Sequence, residues 1–147
     1  MKLGTRGQYA VLALVDLARH PGDKPIALTD IALRQQISQQ YLEQLFSKLR
    51  RKGLVQSVRG QNGGYFLGRP PQEISIAQII DAIDEPIRST RCASLEAKGC
   101  QGTKIRCLTH HLWDGLDTVI RSYLSTITLF DVIHRSQKGA SLPGGSY

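Results

Sequence analysis

Ser38-Gln39-Gln40-Tyr41-Leu42-Glu43-Gln44-Leu45-Phe46-Ser47-Lys48-Leu49-Arg50-Arg51-Lys52-Gly53 carries two patterns at once. Tyr41, Leu42, Leu45, Phe46 and Leu49 recur at helical spacing and form one apolar stripe, which predicts a helix laid against a core. Ser38 suits its N-cap and Gly53 its end. The remaining surface holds Gln39, Gln40, Glu43, Gln44, Ser47 and Lys48, followed by Arg50, Arg51 and Lys52. Amides and a carboxylate near a helix N-terminus can pair with base edges, Gln with adenine and Glu with the cytosine amino group, although both residues are also ordinary surface helix formers.

The flanks decide between those two uses. Upstream, Leu28 to Leu33 starts a short helix with Thr29 as its expected cap and Ile37-Ser38 as its break. Two helices joined this tightly, the second polar on its outer face, match the helix-turn-helix, whose second helix enters the major groove of DNA. Earlier still, Thr5-Arg6-Gly7-Gln8 fits a capping box, and the run from Tyr9 through Ala18 predicts a central buried helix stopped by Pro21-Gly22. Downstream, Leu54 to Val58 alternates as a strand and Tyr65-Phe66-Leu67 reads as a second. Between them Arg59-Gly60-Gln61-Asn62-Gly63-Gly64 forms a hairpin tip. A two-stranded wing behind a helix-turn-helix makes a winged helix, and Arg59 with its small neighbours suits a phosphate or a narrow minor groove. The glycines match neither the Walker nor the dinucleotide-binding pattern.

Charge follows the same division. The 147 residues carry a formal charge of +7. Residues 1–69 hold eleven Lys or Arg against four Asp or Glu, and residues 70–147 hold eight of each, so the excess belongs to the N-terminal part. This is the footprint of a polyanion binder, with a merely soluble basic surface as the plainer alternative. Hydrophobic residues make up 41% of the chain but aromatics only 6%, which suits a modest helical core. No apolar stretch is long enough to span a bilayer, and no secretory leader is recognisable at the start, so a cytoplasmic protein without membrane contact is expected.

In the C-terminal half, Ser75 to Ile83 reads as a short amphipathic helix closed by Glu85-Pro86. A helix capped by Thr109 is expected to run to about Thr126, with Leu112, Leu116, Val119, Ile120, Tyr123, Leu124 and Ile127 along one broad stripe. Such a helix would extend about 27 Å, long for this domain, so burial of the stripe by a second copy of the chain is expected. Between the two helices lie all three cysteines, Cys92, Cys100 and Cys107, with His110 close behind. An odd number of thiols opposes a disulfide framework. Three thiolates and an imidazole satisfy tetrahedral zinc, and they equally hold two irons at two ligands each. The long spacers favour a cluster over the short knuckles of structural zinc. Arg91, Lys98, Lys104 and Arg106 would stabilise the thiolates, and His111 is an alternative fourth ligand. No nucleophile pair, general base or cofactor loop supports an enzyme. A zinc-stabilised regulator and a small electron carrier are the competing classes, and the carrier leaves the basic half unexplained.

Tyr41 to Arg50, the wing Val58 to Tyr65, Cys107-Leu108-Thr109-His110 with Trp113, the start Arg6 to Ala10 and the stretch Asp81 to Glu85 together resemble the winged-helix Rrf family of bacterial repressors, in particular its iron–sulfur branch. The resemblance runs from Met1 to about Val132. It implies a dimeric, DNA-binding sensor with a 2Fe–2S cluster on Cys92, Cys100, Cys107 and His110, loaded by cluster donors and repressing cluster-assembly genes. The expected architecture is mainly α with a small β-wing: a winged helix-turn-helix domain plus a long C-terminal dimerisation helix. Residues 1–70 form the DNA-binding domain, 71–135 the cluster loop and dimerisation helices, and 136–147 a disordered tail. On double-stranded operator DNA, Gln39, Gln40, Glu43 and Gln44 would read bases. Arg59, Gly60, Gln61, Asn62 and Gly63 would take the minor groove, and Lys2, Arg6, Ser38, Tyr41, Lys48, Arg50 and Arg51 the phosphates.

Overall fold

The computed structural model describes residues 4–87 and 108–138. Lys2, Cys92, Cys100 and Cys107 lie outside the described residues, as do positions 139–147 of the expected tail.

Helix α1 (Thr5–Ala18) is the central element, with Ala10, Ala13, Leu14 and Leu17 buried. It is packed by α2 (Leu28–Gln35), α3 (Gln39–Arg51), α4 (Ile76–Ala82), α6 (Leu129–Lys138) and the second wing strand. Its expected capping box is not formed. Gly4 occupies the N-cap without a side-chain hydrogen bond, because the helix already includes Thr5. Thr29 is likewise inside α2, whose N-cap is Ala27. Ser38 does cap α3, its hydroxyl accepting from the Tyr41 amide at 3.3 Å.

The α2–α3 turn rests on Gln36, left-handed at φ 55°, and on Ile37, which is buried beneath it. Helix α3 closes on Gly53, also left-handed at φ 76°. There the Leu54 amide donates to Leu49 O at 3.1 Å and the Gly53 amide to Arg50 O at 3.0 Å, a Schellman arrangement sealed by the buried pair Leu49 and Leu54. The wing follows at once: β1 (Val55–Val58) and β2 (Gly64–Leu67) pair antiparallel, with Val55 opposite Leu67 and Val58 opposite Gly64. Ile26 adds a bridge to Tyr65, so the wing is stitched to the chain entering α2. Phe46 meets the Tyr65 ring edge-on at 4.9 Å, which fixes the strands against α3.

A single 3-10 turn (Pro71–Glu73) leads into α4, where Ser75 and Gln78 form a complete capping box. Helix α5 (His110–Thr126) begins at the expected place, but the Thr109 hydroxyl accepts from the Trp113 indole at 3.1 Å instead of capping the backbone. Helix α6 was not anticipated as a separate element. It reaches Lys138, past the boundary at 135, and inserts Leu129 and Ile133 into the core. Bonds from the Ile76 amide to Ile127 O at 2.9 Å and from the Leu129 amide to Ile74 O at 2.8 Å tie the α5–α6 corner to the start of α4.

Candidate nucleic-acid interface

Burying Leu42, Leu45, Phe46 and Leu49 of α3 leaves Gln39, Gln40, Glu43, Gln44, Arg50 and Arg51 exposed. At about 100° per residue these side chains fan across one face, with Glu43 and Gln40 near its middle. Arg50 lies on the edge toward the wing, its guanidinium 3.4 Å from the Ser57 hydroxyl of β1. Lys48 lies on the opposite edge, half-buried, donating to Ile83 O at 3.5 Å and pairing with Asp84 at 3.5 Å. Gln39 donates to the Glu43 carboxylate across one turn at 3.5 Å. Tyr41 turns partly inward and meets Tyr9 edge-on at 5.8 Å, so only part of this residue remains for a phosphate. Arg6, on the first turn of α1, lines a small cleft with Tyr41, Gln44 and Lys48. The exposed residues of α3 therefore share one polar face, with Arg6 beside its Gln44 and Lys48 edge.

At the wing, Arg59, Gly60, Gln61 and Asn62 are exposed. Gly60 has φ 121°, and the Gly63 amide donates back to Gly60 O at 3.0 Å. Gly60 alone takes the positive φ of the tip, while Gln61 and Asn62 keep negative φ. A Cβ at Gly63 would collide with the carbonyl oxygens of Val58 and Gly60.

The scaffold behind this surface uses a group that the sequence did not single out. Asp16 of α1 is buried and receives Arg34 through Nε at 3.0 Å and Nη2 at 2.7 Å, with Gln35 Nε2 at 2.7 Å. Burial alone would raise the Asp16 carboxyl. The hydrogen bonds from Arg34 and Gln35, with the nearby positive charge, outweigh it and hold the carboxyl below its ordinary range. Asp16 thus locks the first helix of the helix-turn-helix to α1. A charged residue inside the Tyr9–Ala18 run was the available signal, but nothing local identified its partners.

Of the proposed metal ligands, the described residues include His110 alone. It is buried at the first position of α5, whereas His111 is exposed, the two rings meeting edge-on at 5.8 Å. No group of three or more His, Cys, Asp or Glu converges among the described residues. Helix α5 is held to α4 by a bidentate pair from Arg121 to Asp81, at 3.2 and 2.6 Å. No helix among the described residues is long and apolar enough to cross a membrane.

A helix-turn-helix with a two-stranded wing and a polar, basic reading face defines a winged-helix DNA-binding protein. The family model of Rrf2, an iron-dependent transcriptional regulator, matches residues 3–135. The chain belongs to the Rrf2 family, whose members are transcriptional regulators and not enzymes. It is 49% identical over 137 residues to the HTH-type transcriptional regulator IscR of Photorhabdus laumondii, covering 93% of this chain and 82% of that one. The IscR of Yersinia pseudotuberculosis is 50% identical over 134 residues, covering 91% and 80%. Among solved structures, T. potens IscR superposes with a TM-score of 0.74 at 35% identity, covering 98% of this chain and 94% of that one. CymR, the global cysteine regulator of B. subtilis, gives 0.74 at 34% identity, covering 91% and 97%. The chain is a DNA-binding transcriptional regulator of the IscR type.

Proposed function

We propose that this regulator is a cytoplasmic homodimer that holds a 2Fe–2S cluster on Cys92, Cys100, Cys107 and His110, receives it from cluster donors, and represses genes of iron–sulfur cluster assembly. The observation that carries the reading is the burial of His110 at the head of α5, immediately after the third cysteine in sequence. An imidazole and three thiols suit the mixed donor set of two irons, and the buried imidazole makes His110 a better candidate than His111. When bound, the cluster supplies a centre whose presence depends on iron and oxidant supply. The rest of the task falls to the chain. Gln39, Gln40, Glu43 and Gln44 meet base edges. Arg59 with Gly60, Gln61, Asn62 and Gly63 enters the minor groove. Lys2, Arg6, Ser38, Tyr41, Lys48, Arg50 and Arg51 contact phosphates and fix the register. The exposed side chains of α3 and of the wing tip support these assignments.

Protein purified without oxygen from iron-replete cells should contain iron and inorganic sulfide in equal amounts and absorb in the visible. Colourless protein with stoichiometric zinc would replace the cluster by a structural zinc site. His110→Cys should retain a cluster at a lower potential, since imidazole ligation raises it. An unchanged potential would move the fourth ligand elsewhere.

A further inference from the structure

The end of α4 is folded onto the reading helix. Asp84 adopts a left-handed backbone at φ 59°, which turns the chain sharply as it leaves Ile83. That corner brings the Asp84 carboxylate to Lys48 at 3.5 Å, while Ile83 O accepts from the same ammonium. Ile83 itself is fully buried, and with Arg6, Tyr41, Gln44, Leu45 and Lys48 it lines a cleft of about 80 Å³ between α1, α3 and α4. The next residue, Glu85, lays its carboxyl group over Gly4 at the start of α1. The corner is thus anchored by a buried side chain, while its carboxylate and the ammonium remain accessible, at 73% and 35% exposure. Such a pair is easily exchanged for another partner, because solvent screens both charges. Along the chain, the same corner stands just ahead of Cys92.

We propose that Asp84 is a built-in competitor of DNA phosphate for Lys48. The proposal rests on the DNA-binding reading given above. Paired with Asp84, Lys48 offers less charge to the duplex. Freed from Asp84, Lys48 contributes one more phosphate contact. The effect is independent of base sequence, since Lys48 lies on the edge of the reading face.

The experiment is binding of a labelled duplex of mixed sequence at several salt concentrations, with metal-free protein. Asp84→Asn is chosen because Asn tolerates a left-handed backbone. It should tighten binding about two- to fivefold and steepen the salt dependence, whereas Glu73→Gln, which removes an equal charge from the 3-10 turn before α4, should not. In a Lys48→Met background the gain from Asp84→Asn should vanish. A gain that persists there, or that Glu73→Gln reproduces, reduces Asp84 to a general charge effect and overturns the proposal. Wild type that binds no duplex would instead overturn the DNA-binding reading itself.

Discussion

Asp16 joins two elements through one carboxylate, which satisfies two side chains of α2 from inside α1. Asp16→Ala strands Arg34 and Gln35 and should lower stability by about 2 kcal/mol in urea unfolding, with Arg34 partly exposed and so able to recover some hydration. The carboxyl is held low in the folded chain, so its contribution is complete above the unfolded value near 3.8 and disappears as pH falls through the depressed folded value. Asp16→Asn should therefore flatten the loss of stability on acidification; equal acid slopes in the two proteins would show that Asp16 is not the group responsible. At this scale the sequence was partly legible. Ser38 could be identified as a cap because it stands at the break read at Ile37-Ser38, whereas Thr5 and Thr29 lay one position or more inside helices whose starts were set by packing of α1 and α2. Asp84 and Lys48 are distant along the chain, and only the folded corner brings them together.

Among the described residues, three of the exposed large apolar side chains lie on α5. Leu112 is 62% exposed, Val119 64% and Tyr123 42%, on a helix that packs on α4. Leu112→Glu with Val119→Glu should yield a folded monomer, because neither side chain is needed for the fold of one copy and both would be unpaired charges in an apolar interface. Sedimentation that finds wild type monomeric at micromolar concentration, or the double variant still dimeric, would remove α5 as the dimer contact. The existence and order of α1 to α5 and the wing were legible, since each has a stripe, an alternation or a breaker of its own. Helix α6 was missed although its signal is present. The Asp131 amide donates to the Thr128 hydroxyl at 3.1 Å and the Thr128 amide to the Asp131 carboxylate at 3.0 Å, a capping box that restarts the chain right after α5. What could not be read is that this restart folds Leu129 and Ile133 back against α1, a long-range packing choice.

In the whole molecule, α1 and α4 pack against α3 on one side and against α6 and α5 on the other, so the reading helix and the C-terminal helices share one scaffold. The central claim is that α3 reads DNA and that Glu43 limits which sites it accepts. Its carboxylate lies in the middle of an otherwise amide and basic face; on the proposed reading it would accept from a cytosine amino group and be left desolvated and unpaired against other bases. The direct measurement is selection from a randomised duplex library at fixed salt, with wild type and Glu43→Ala, each loaded and metal-free. Wild type should enrich a two-fold symmetric sequence, Glu43→Ala should accept a broader set, and removing the cluster should change the preference of wild type more than that of the variant. Identical base preferences in all four samples would contradict the role of Glu43, and no enrichment by wild type would contradict reading by α3 altogether.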